Sequence, residues 1–455
     1  MKKYLIPKAF AFTILILIWN ACSKPLNINP VNSVDQTLAF NTSGDVLGAL
    51  VGAYTRAGQA RAYGGDILLE PDLLGDDGDI SYTDSFIELS ELITKKITVS
   101  NGFVAGTWEA NYTTINTVNN VLASISKVDK SSQARAQGEA KFLRGLSYFD
   151  LVRLYGKAYN DGNPSTNLGV PLVLKPTSSI SDSNFVARNT VAQVYAQVIK
   201  DLTDAMNLLP PAKSNGYFAD RACAQAVLAR VYLTTQNYAL AAAMADSVIS
   251  SGAYSLTKTY AQEFPNPNPA ARQANSSEDI FSMQVSAQAG TTEMNTWYAS
   301  STYAGRGKTT INPQHLAKYD PTDDRLNLFY VDGGNTYTGK FNNQYGNVIV
   351  IRLAEMYLIR AEANFLNSSS IGDTPLNDIN VTRTRALLSP LTTVSLSDIR
   401  AEKYKELCFE GQTLFDKKQY KQNVLALPYN DNSLVYPIPL REMEANPKLV
   451  QNPGY

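Results

Sequence analysis

Few residues in this chain have the types and spacing that catalysis requires. Glu406 and Glu410 lie four residues apart on a predicted helix, where they could act as a general acid and base. Nothing in their surroundings indicates a raised pKa, so we expect them to maintain the fold. His315 is the only histidine, which excludes sites that need two imidazoles, and we expect it at the surface or in a cap. We predict no catalytic residue and no cofactor.

An acid-rich stretch, residues 72–79, raises the question of a calcium site. With Gly78 at the sixth position of an EF-hand loop, Leu73 and Gly75 would occupy positions that need oxygen-bearing side chains, so the match fails. Asp76 and Asp79 remain candidates for an irregular calcium or sugar-hydroxyl site. A solvated turn is the alternative.

Aromatic residues give the better indication of a binding site. Trp297 lies with Tyr298 and Tyr303 in a stretch rich in Asn, Ser and Thr, which we expect to be irregular. A flat ring can stack against the C–H face of a pyranose while neighbouring polar groups bind its hydroxyls. The alternative is that each ring fills a hydrophobic pocket beneath a loop. Trp108 falls on a predicted helix and is expected in the core.

The composition limits the class of protein. Of the 455 residues, 44% are hydrophobic, which is enough for a large core. The 40 Lys and Arg residues are balanced by 41 Asp and Glu residues, which argues against nucleic acid as a partner, because phosphate neutralisation needs a basic excess. Three cysteines cannot build a disulfide framework, and we expect Cys223 and Cys408 to be buried small side chains.

The N-terminus has the features of a targeting segment. Lysines precede an apolar run that ends at Trp19 and is too short to span a membrane. The following residues resemble a bacterial lipobox, in which the cysteine is acylated by fatty acids such as palmitate. We therefore predict a signal peptide over residues 1–21, lipidation of Cys22 and a tether over residues 22–45. An ordinary signal peptide with a coincidental cysteine is the alternative.

Apolar residues at helical spacing predict a mainly α-helical chain. Asp45 is expected to cap the first helix, and residues 46–455 are expected to form one domain. Residues 252–350 are rich in Asn, Pro, Gly, Ser and Thr and are expected to be a loop-rich insert that carries function. The main predicted helices cover residues 107–128, 132–155, 190–209, 219–235, 238–250, 351–366, 375–388 and 397–409.

One pair of predicted helices has the spacing of a tetratricopeptide repeat (TPR). Ala229, Tyr232, Tyr238, Ala241 and Ala245 fall at the small and aromatic positions of that repeat. Other helices match it more weakly, which favours a TPR-like scaffold over a regular array. Generic packing of Ala-rich helices is the alternative.

Several segments together resemble one family, the SusD/RagB outer-membrane nutrient-binding lipoproteins of Bacteroidetes. Within the strongest of them, Arg352, Glu355, Arg360 and Glu362 are expected to form buried ion pairs that fix helix packing. The matching segments are residues 47–54 (LGALVGAY), 139–149 (EAKFLRGLSYF), 226–233 (AVLARVYL), 351–363 (IRLAEMYLIRAEA), 406–411 (ELCFEG) and 452–455 (NPGY).

This resemblance implies a SusD-like fold, with TPR-like helix pairs as scaffold and long irregular ligand-binding loops. It implies a lipid-anchored protein of the outer membrane, facing the extracellular side. Such a protein binds an oligosaccharide or another nutrient and delivers it to a SusC-like TonB-dependent transporter. The family's ligand loops also cover Tyr63, Tyr82, Phe86 and Asn101, of which Tyr82 and Asn101 join the candidate site.

Three other functions remain as alternatives. A RagB-like lid protein would bind a peptide instead of a glycan. A secreted glycan-degrading enzyme would need a pair of indispensable acids in one cleft. A TPR adaptor for protein partners would present a continuous polar groove along its repeat helices.

Overall fold

Helices dominate the structure, a computed structural model that describes residues 40–177, 182–211, 216–266, 274–285, 288 and 290–455. The mainly α-helical prediction is therefore confirmed. The predicted signal peptide, Cys22 and most of the predicted tether lie outside the described residues. Within the described part of the chain, no helix combines the length and the apolar character that crossing a membrane requires.

The predicted long helices are all present, with boundaries that differ from the predicted ones by a few residues. In chain order the helices are α1 (Ser43–Ala57), α2 (Asp66–Gly75), α3 (Ile87–Ile93), α4 (Gly102–Ala123), α5 (Lys130–Tyr155), α6 (Val191–Leu208), α7 (Arg221–Thr234), α8 (Tyr238–Ile249), α9 (Tyr260–Glu263), α10 (Glu293–Tyr298), α11 (Pro313–Leu316), α12 (Leu353–Asn367), α13 (Pro375–Arg385), α14 (Leu396–Leu407), α15 (Thr413–Tyr420) and α16 (Leu440–Ala445).

The first helix begins differently from the prediction. Thr42, not Asp45, is the N-cap of α1: its side chain accepts a hydrogen bond from the Asp45 backbone N–H at 3.2 Å. Asp45 in turn accepts from the Thr42 backbone N–H at 2.9 Å, which completes a capping box. The reciprocal bonds satisfy backbone donors that the first turn leaves free.

Neighbouring helices pack in a continuous row. The row runs α1–α4–α5–α6–α7–α8–α12, and α12 then packs against both α13 and α14. Two glycines of α5 allow α6 to approach closely: a Cβ at Gly145 would lie 2.9 Å from Leu202 Cγ, and one at Gly138 would lie 2.9 Å from Leu209 Cγ. A larger residue at either position would push the two helices apart.

The TPR-like pair forms as its spacing predicts. Helices α7 and α8 pack against each other, with Ala229, Ala241 and Ala245 fully buried between neighbouring helices. Tyr232 and Tyr238 are half-buried beside them and pack against the core. Small side chains thus permit close helix approach while the two rings fill the adjacent space.

Residues 252–350 contain more regular structure than expected, because short strands pair there, some with a neighbouring strand and some with a strand far away in the sequence. The strands β1 (Ile80–Tyr82) and β3 (Thr309–Ile311) pair antiparallel, as do β2 (Asp279–Met283) with β6 (Val348–Arg352) and β4 (Phe329–Asp332) with β5 (Asn335–Thr338). Periodicity failed to indicate these strands because each has only three to five residues.

A buried network of arginines and carboxylates joins the loop-rich segment to the helices. Arg352, fully buried where β6 meets α12, contacts Glu278 at 2.6 Å and Glu406 at 2.7 Å. Arg385 of α13 contacts the same two carboxylates, and Arg325 contacts Glu406 at 3.2 Å. The three guanidinium groups hold the pKa of Glu406 well below its usual range despite burial. Glu406 therefore maintains the fold, as predicted.

The charged residues of α12 are also paired, with partners on other helices. Arg230 of α7 donates to both carboxylate oxygens of Glu355 at 2.6 Å. Arg360 donates to Asp378 of α13 at 3.0 Å, and Lys403 of α14 lies 3.9 Å from Glu362. The expectation of buried structural ion pairs is confirmed for this helix.

Replacing Arg352 by Met should destabilise the fold by about 3 to 5 kcal/mol, because Glu278 and Glu406 would keep buried charges that have lost a partner. Urea denaturation followed by circular dichroism measures the free energy of unfolding. Arg56→Met, an exposed arginine near the end of α1, is the control and should change it by less than about 0.5 kcal/mol. Equal effects of the two substitutions would contradict the role assigned to the network.

Candidate functional site

Two distant stretches of sequence meet at the candidate site. Tyr82 pairs with Thr309 where β1 lies beside β3, and the Thr83 backbone N–H donates to the Lys308 carbonyl at 3.0 Å. This pairing places the segment after β1 next to the loop between α10 and β3. The two regions that sequence analysis singled out separately therefore form one surface.

Backbone hydrogen bonds hold the loop of residues 299–307 in place. Its N–H groups at Gly305, Arg306 and Gly307 donate to the carbonyls of Ser300, Thr296 and Ala299 at 2.9–3.0 Å. A Cβ at position 305 would lie 2.1 Å from the Ala299 oxygen, so only glycine fits there. The loop is consequently rigid, and it presents its exposed side chains in a fixed arrangement.

Trp297 lies in α10, not in irregular chain, and only 4% of its surface is exposed. Its indole N–H donates to Asp66 Oδ1 at 3.2 Å. The ring packs edge-on against Phe86 and Phe103, with centroid distances of 5.3 and 5.9 Å. Trp297 therefore supports the surface from below and offers no open ring face in this structure.

Phe86 is the ring that reaches solvent, with 37% of its surface exposed. The Arg306 guanidinium carbon lies 4.8 Å from its centroid, and Arg61 lies 3.6 Å above the ring of Phe103. Both arginine side chains are 40% exposed. We call Arg61, Phe86, Phe103, Trp297 and Arg306 the aromatic–arginine cluster.

Carboxylates fix the two arginines of this cluster. Arg306 Nη2 donates to Asp84 Oδ1 at 2.9 Å, which lowers the pKa of Asp84 to about 2. Arg61 Nη1 donates to Asp66 Oδ2 at 2.7 Å. Tyr82 is half-buried nearby, and burial together with the Asp84 charge raises the pKa of its phenol. The cluster thus combines an exposed apolar ring with two guanidinium groups that carboxylates orient.

A second set of rings lies at the other end of the same loop. Tyr303 is half-buried and packs edge-on against Tyr330, whose centroid is 5.3 Å away. Tyr330 and Tyr337 face each other across the β4–β5 pair with centroids 5.6 Å apart. Tyr330 also accepts a hydrogen bond from the Ser300 N–H at 3.1 Å, which ties these rings to the loop.

The other predicted ligand residues have structural contacts that account for them. Asp76 accepts backbone N–H bonds from Gly78, Asp79 and Ile80, each at 2.9 Å, and so closes its own turn. Asn101 is the N-cap of α4 and accepts from two backbone N–H groups at 3.0 and 3.1 Å. Tyr298 is fully buried against Phe341 and Phe409.

The acid-rich stretch is not a solvated turn. Asp72 lies within the buried helix α2 and accepts from the Gly411 and Thr413 N–H groups. Asp79 is buried against His315, whose Nδ1 lies 3.1 Å from Asp79 Oδ2. His315 is fully buried, so its expected surface position was wrong. Within the described residues, no group of His, Cys, Asp and Glu side chains is arranged to hold a metal ion.

Sequence reasoning did not find Arg61, Phe103 and Arg306. No motif or periodicity marks them, and they lie up to 245 positions apart in the chain. Phe86 was noted only as a neighbour of the candidate site. Cys223 and Cys408 are both buried, which agrees with the prediction.

Two buried carboxyls lie beneath the cluster with raised pKa values. Burial raises the pKa of Asp66 to about 7, although Arg61 partly offsets the effect. Burial and the Asp66 charge raise the pKa of Glu70 to about 8, although Thr107 and Tyr436 donate hydrogen bonds to it. Between about pH 5 and pH 7 these two carboxyl groups are therefore largely protonated in the folded protein, whereas they are ionised in the unfolded chain.

Stability should accordingly fall as the pH rises from about 5 to about 8, because the folded state binds more protons there than the unfolded state. Glu70→Gln removes one of the two titrating groups. The melting temperature of this variant should therefore fall less steeply over the same pH range than that of the wild type. Differential scanning calorimetry across the window measures the slope. Glu109→Gln, exposed on α4, is the control and should keep the wild-type slope. Parallel profiles for Glu70→Gln and the wild type would contradict the assignment.

Two family models match the chain. Residues 52–233 match a family described as "Starch-binding associating with outer membrane", and residues 291–423 match one described as "SusD family". SusD-like protein P2 of Formosa agariphila is 26% identical over the full length of both chains. SusD-like protein P38 of the same organism is 24% identical, also over the full length of both.

Solved structures share the fold. A putative sugar binding protein from Bacteroides vulgatus superposes with a TM-score of 0.81 at 26% identity, covering 92% of this chain and 99% of that one. A SusD superfamily protein from Bacteroides thetaiotaomicron superposes with a TM-score of 0.79 at 26% identity, covering 90% of this chain and 100% of that one. The shared fold and the two family matches agree with the motifs of the sequence, and the chain belongs to the SusD/RagB family.

Proposed function

We propose that this protein is a lipid-anchored, glycan-binding protein of the outer membrane that passes its ligand to a SusC-like TonB-dependent transporter. The ligand binds at the aromatic–arginine cluster and along the adjoining loop of residues 299–307. The protein performs no chemistry on the ligand. It holds the glycan for the transporter, which supplies the energy for import.

The single observation that carries this proposal is the exposed Phe86 ring beside Arg306, with Arg61 on the neighbouring ring of Phe103. The ring lies on the buried support of Trp297 and Phe103, so a sugar can stack on it without a rearrangement of the core. The arginine N–H groups are donors for sugar hydroxyl oxygens beside the ring. Tyr303 extends the surface along the loop for a further sugar unit.

Family membership supports the same function. One matching family is described as starch-binding and associated with the outer membrane, and one structural neighbour is named as a sugar binding protein.

The contacts of Glu406 and Glu410 support binding of the ligand over its hydrolysis. Glu406 and Glu410 both contact Arg352 in a buried ion network, so neither is free to transfer a proton to a ligand.

Phe86→Ala and Arg306→Met should each weaken glycan binding by about tenfold or more, because each removes a contact surface at the centre of the site. A glycan array identifies the ligand, and calorimetry then measures its dissociation constant. Phe365→Ala is a matched control, since Phe365 is also 37% exposed but lies at the end of α12. Melting temperatures confirm that each variant is folded.

Three outcomes would contradict this proposal. Unchanged glycan affinity in both variants would refute the position of the site. Binding to a peptide panel with no binding to glycans would favour a RagB-like peptide-binding protein. Release of shorter products from a bound glycan would show an enzyme.

The lipid anchor gives a separate prediction for Cys22, which lies outside the described residues. Cys22→Ser should move the protein from the outer-membrane fraction to the soluble fraction in the native host, because the acyl chains supply the membrane affinity. Mass spectrometry of the mature N-terminus should find an acylated Cys22 in the wild type only. Cys223→Ser, which alters a buried cysteine, is the control and should stay in the membrane fraction.

A further inference from the structure

A groove between α14 and α15 lies apart from the aromatic–arginine cluster, and no residue of the cluster lines it. The groove has a volume of about 450 Å³, within the range of small-molecule sites. Side chains at helical spacing form its two walls: Arg400 and Tyr404 on α14, and Lys417 and Tyr420 on α15. Lys318 closes one end.

We propose that the α14–α15 groove is a second binding site, which takes a sugar that carries a carboxylate or a sulfate group. The proposal goes beyond the glycan site at the aromatic–arginine cluster and does not depend on it.

Cations outnumber acids along the groove. Its lining includes the basic residues Lys318, Arg400, Lys405 and Lys417, and the acids Asp77 and Asp416. Both acids already have cationic partners: Asp77 contacts Lys417, and Asp416 contacts Lys403 at 2.7 Å. An incoming anion therefore meets little unpaired negative charge.

Buried carboxylates beneath the groove hold three of the cations in place. Glu362 lies 3.3 Å from Arg400, and Glu402 lies 3.5 Å from Lys405. Asp79 contacts Lys318 in the same manner. Each acid is buried and uses only part of the donor capacity of its cation. The remaining N–H groups are donors in fixed positions for an anionic ligand.

A planar surface accompanies these donors. The Arg400 guanidinium carbon lies 3.9 Å from the Tyr420 ring centroid, so the guanidinium stacks over that ring and covers one of its faces. Tyr404 supplies a second ring in the lining of the groove. Arginine binds carboxylate and sulfate groups through two parallel N–H bonds, while a ring can take the C–H face of a sugar. An acidic sugar has both features within one residue.

The walls offer an extended peptide no free backbone with which to pair. Both are helices, whose backbone N–H and C=O groups are already bonded within the helix. An extended peptide gains affinity and register by pairing with a free strand edge, and the two walls present none. Recognition must therefore use side chains alone, which suits a compact ring with one charged group.

Calorimetry at low ionic strength tests the proposal on the full mature protein. The probes are a galacturonate trimer, a sulfated galactose trimer, a neutral galactose trimer and a hexaglutamate peptide. We expect at least one of the two acidic sugars to bind, with affinity that falls as salt rises, and the neutral trimer to bind at least about tenfold more weakly in this groove.

The double variant Lys405→Met/Lys417→Met should weaken acidic-sugar binding by about tenfold or more. The matched control Lys200→Met/Lys448→Met removes two exposed lysines elsewhere and should leave it unchanged. Phe86→Ala should also leave it unchanged, which separates this site from the aromatic–arginine cluster. Hydrogen–deuterium exchange on the wild type should show protection of residues 396–422 by the probe, and this readout needs no variant.

Several results would overturn the proposal. These are the absence of saturable binding by either acidic sugar, equal binding by the neutral trimer, and protection that excludes residues 396–422. Tighter binding of hexaglutamate than of both acidic sugars, lost in the double variant, would show a peptide site instead. Loss of acidic-sugar binding in Phe86→Ala alone would place the sugar at the cluster.

Discussion

Buried charge must be matched by buried countercharge, and in this protein that constraint joins the loop-rich segment to the helical scaffold. Arg352 stands where β6 becomes α12 and contacts Glu278 before β2, Glu406 on α14 and Glu410 beyond it. Arg385 and Arg325 bring α13 and the chain before β4 to the same carboxylates. Because an unpaired charge would be costly at each position, an arrangement of these elements that separated the pairs would be disfavoured.

The proposed binding surface depends on this arrangement. The helical scaffold positions α2, α4 and the end of β1 on one side of this surface. The arginine–carboxylate network positions the chain that leads through α10 and β3 on the other side. Their meeting creates the edge-on packing of Phe86, Phe103 and Trp297. Since the loop of residues 299–307 is also closed by its own hydrogen bonds, little ordering remains to be done when a ligand binds.

Prediction from sequence succeeded where the signal is local. The long helices were found because apolar residues recur at helical spacing, and the α7–α8 pair was found because alanines mark close helix contacts. It failed where the contacting residues lie far apart in the sequence. The β1–β3 pair, the buried position of His315 and the hydrogen bond that holds Trp297 all result from contacts across more than 200 residues of chain.

The sequence alone thus determined the helical class and the family, and it indicated the two stretches of chain that meet at the candidate site. Those properties follow from periodicity and from motifs, which are written in neighbouring positions. Only the tertiary structure decided that Phe86 and not Trp297 reaches solvent, and that Arg306 lies beside Phe86 while Arg61 lies over Phe103. Exposure depends on what the rest of the chain covers, and no local pattern of residues encodes that.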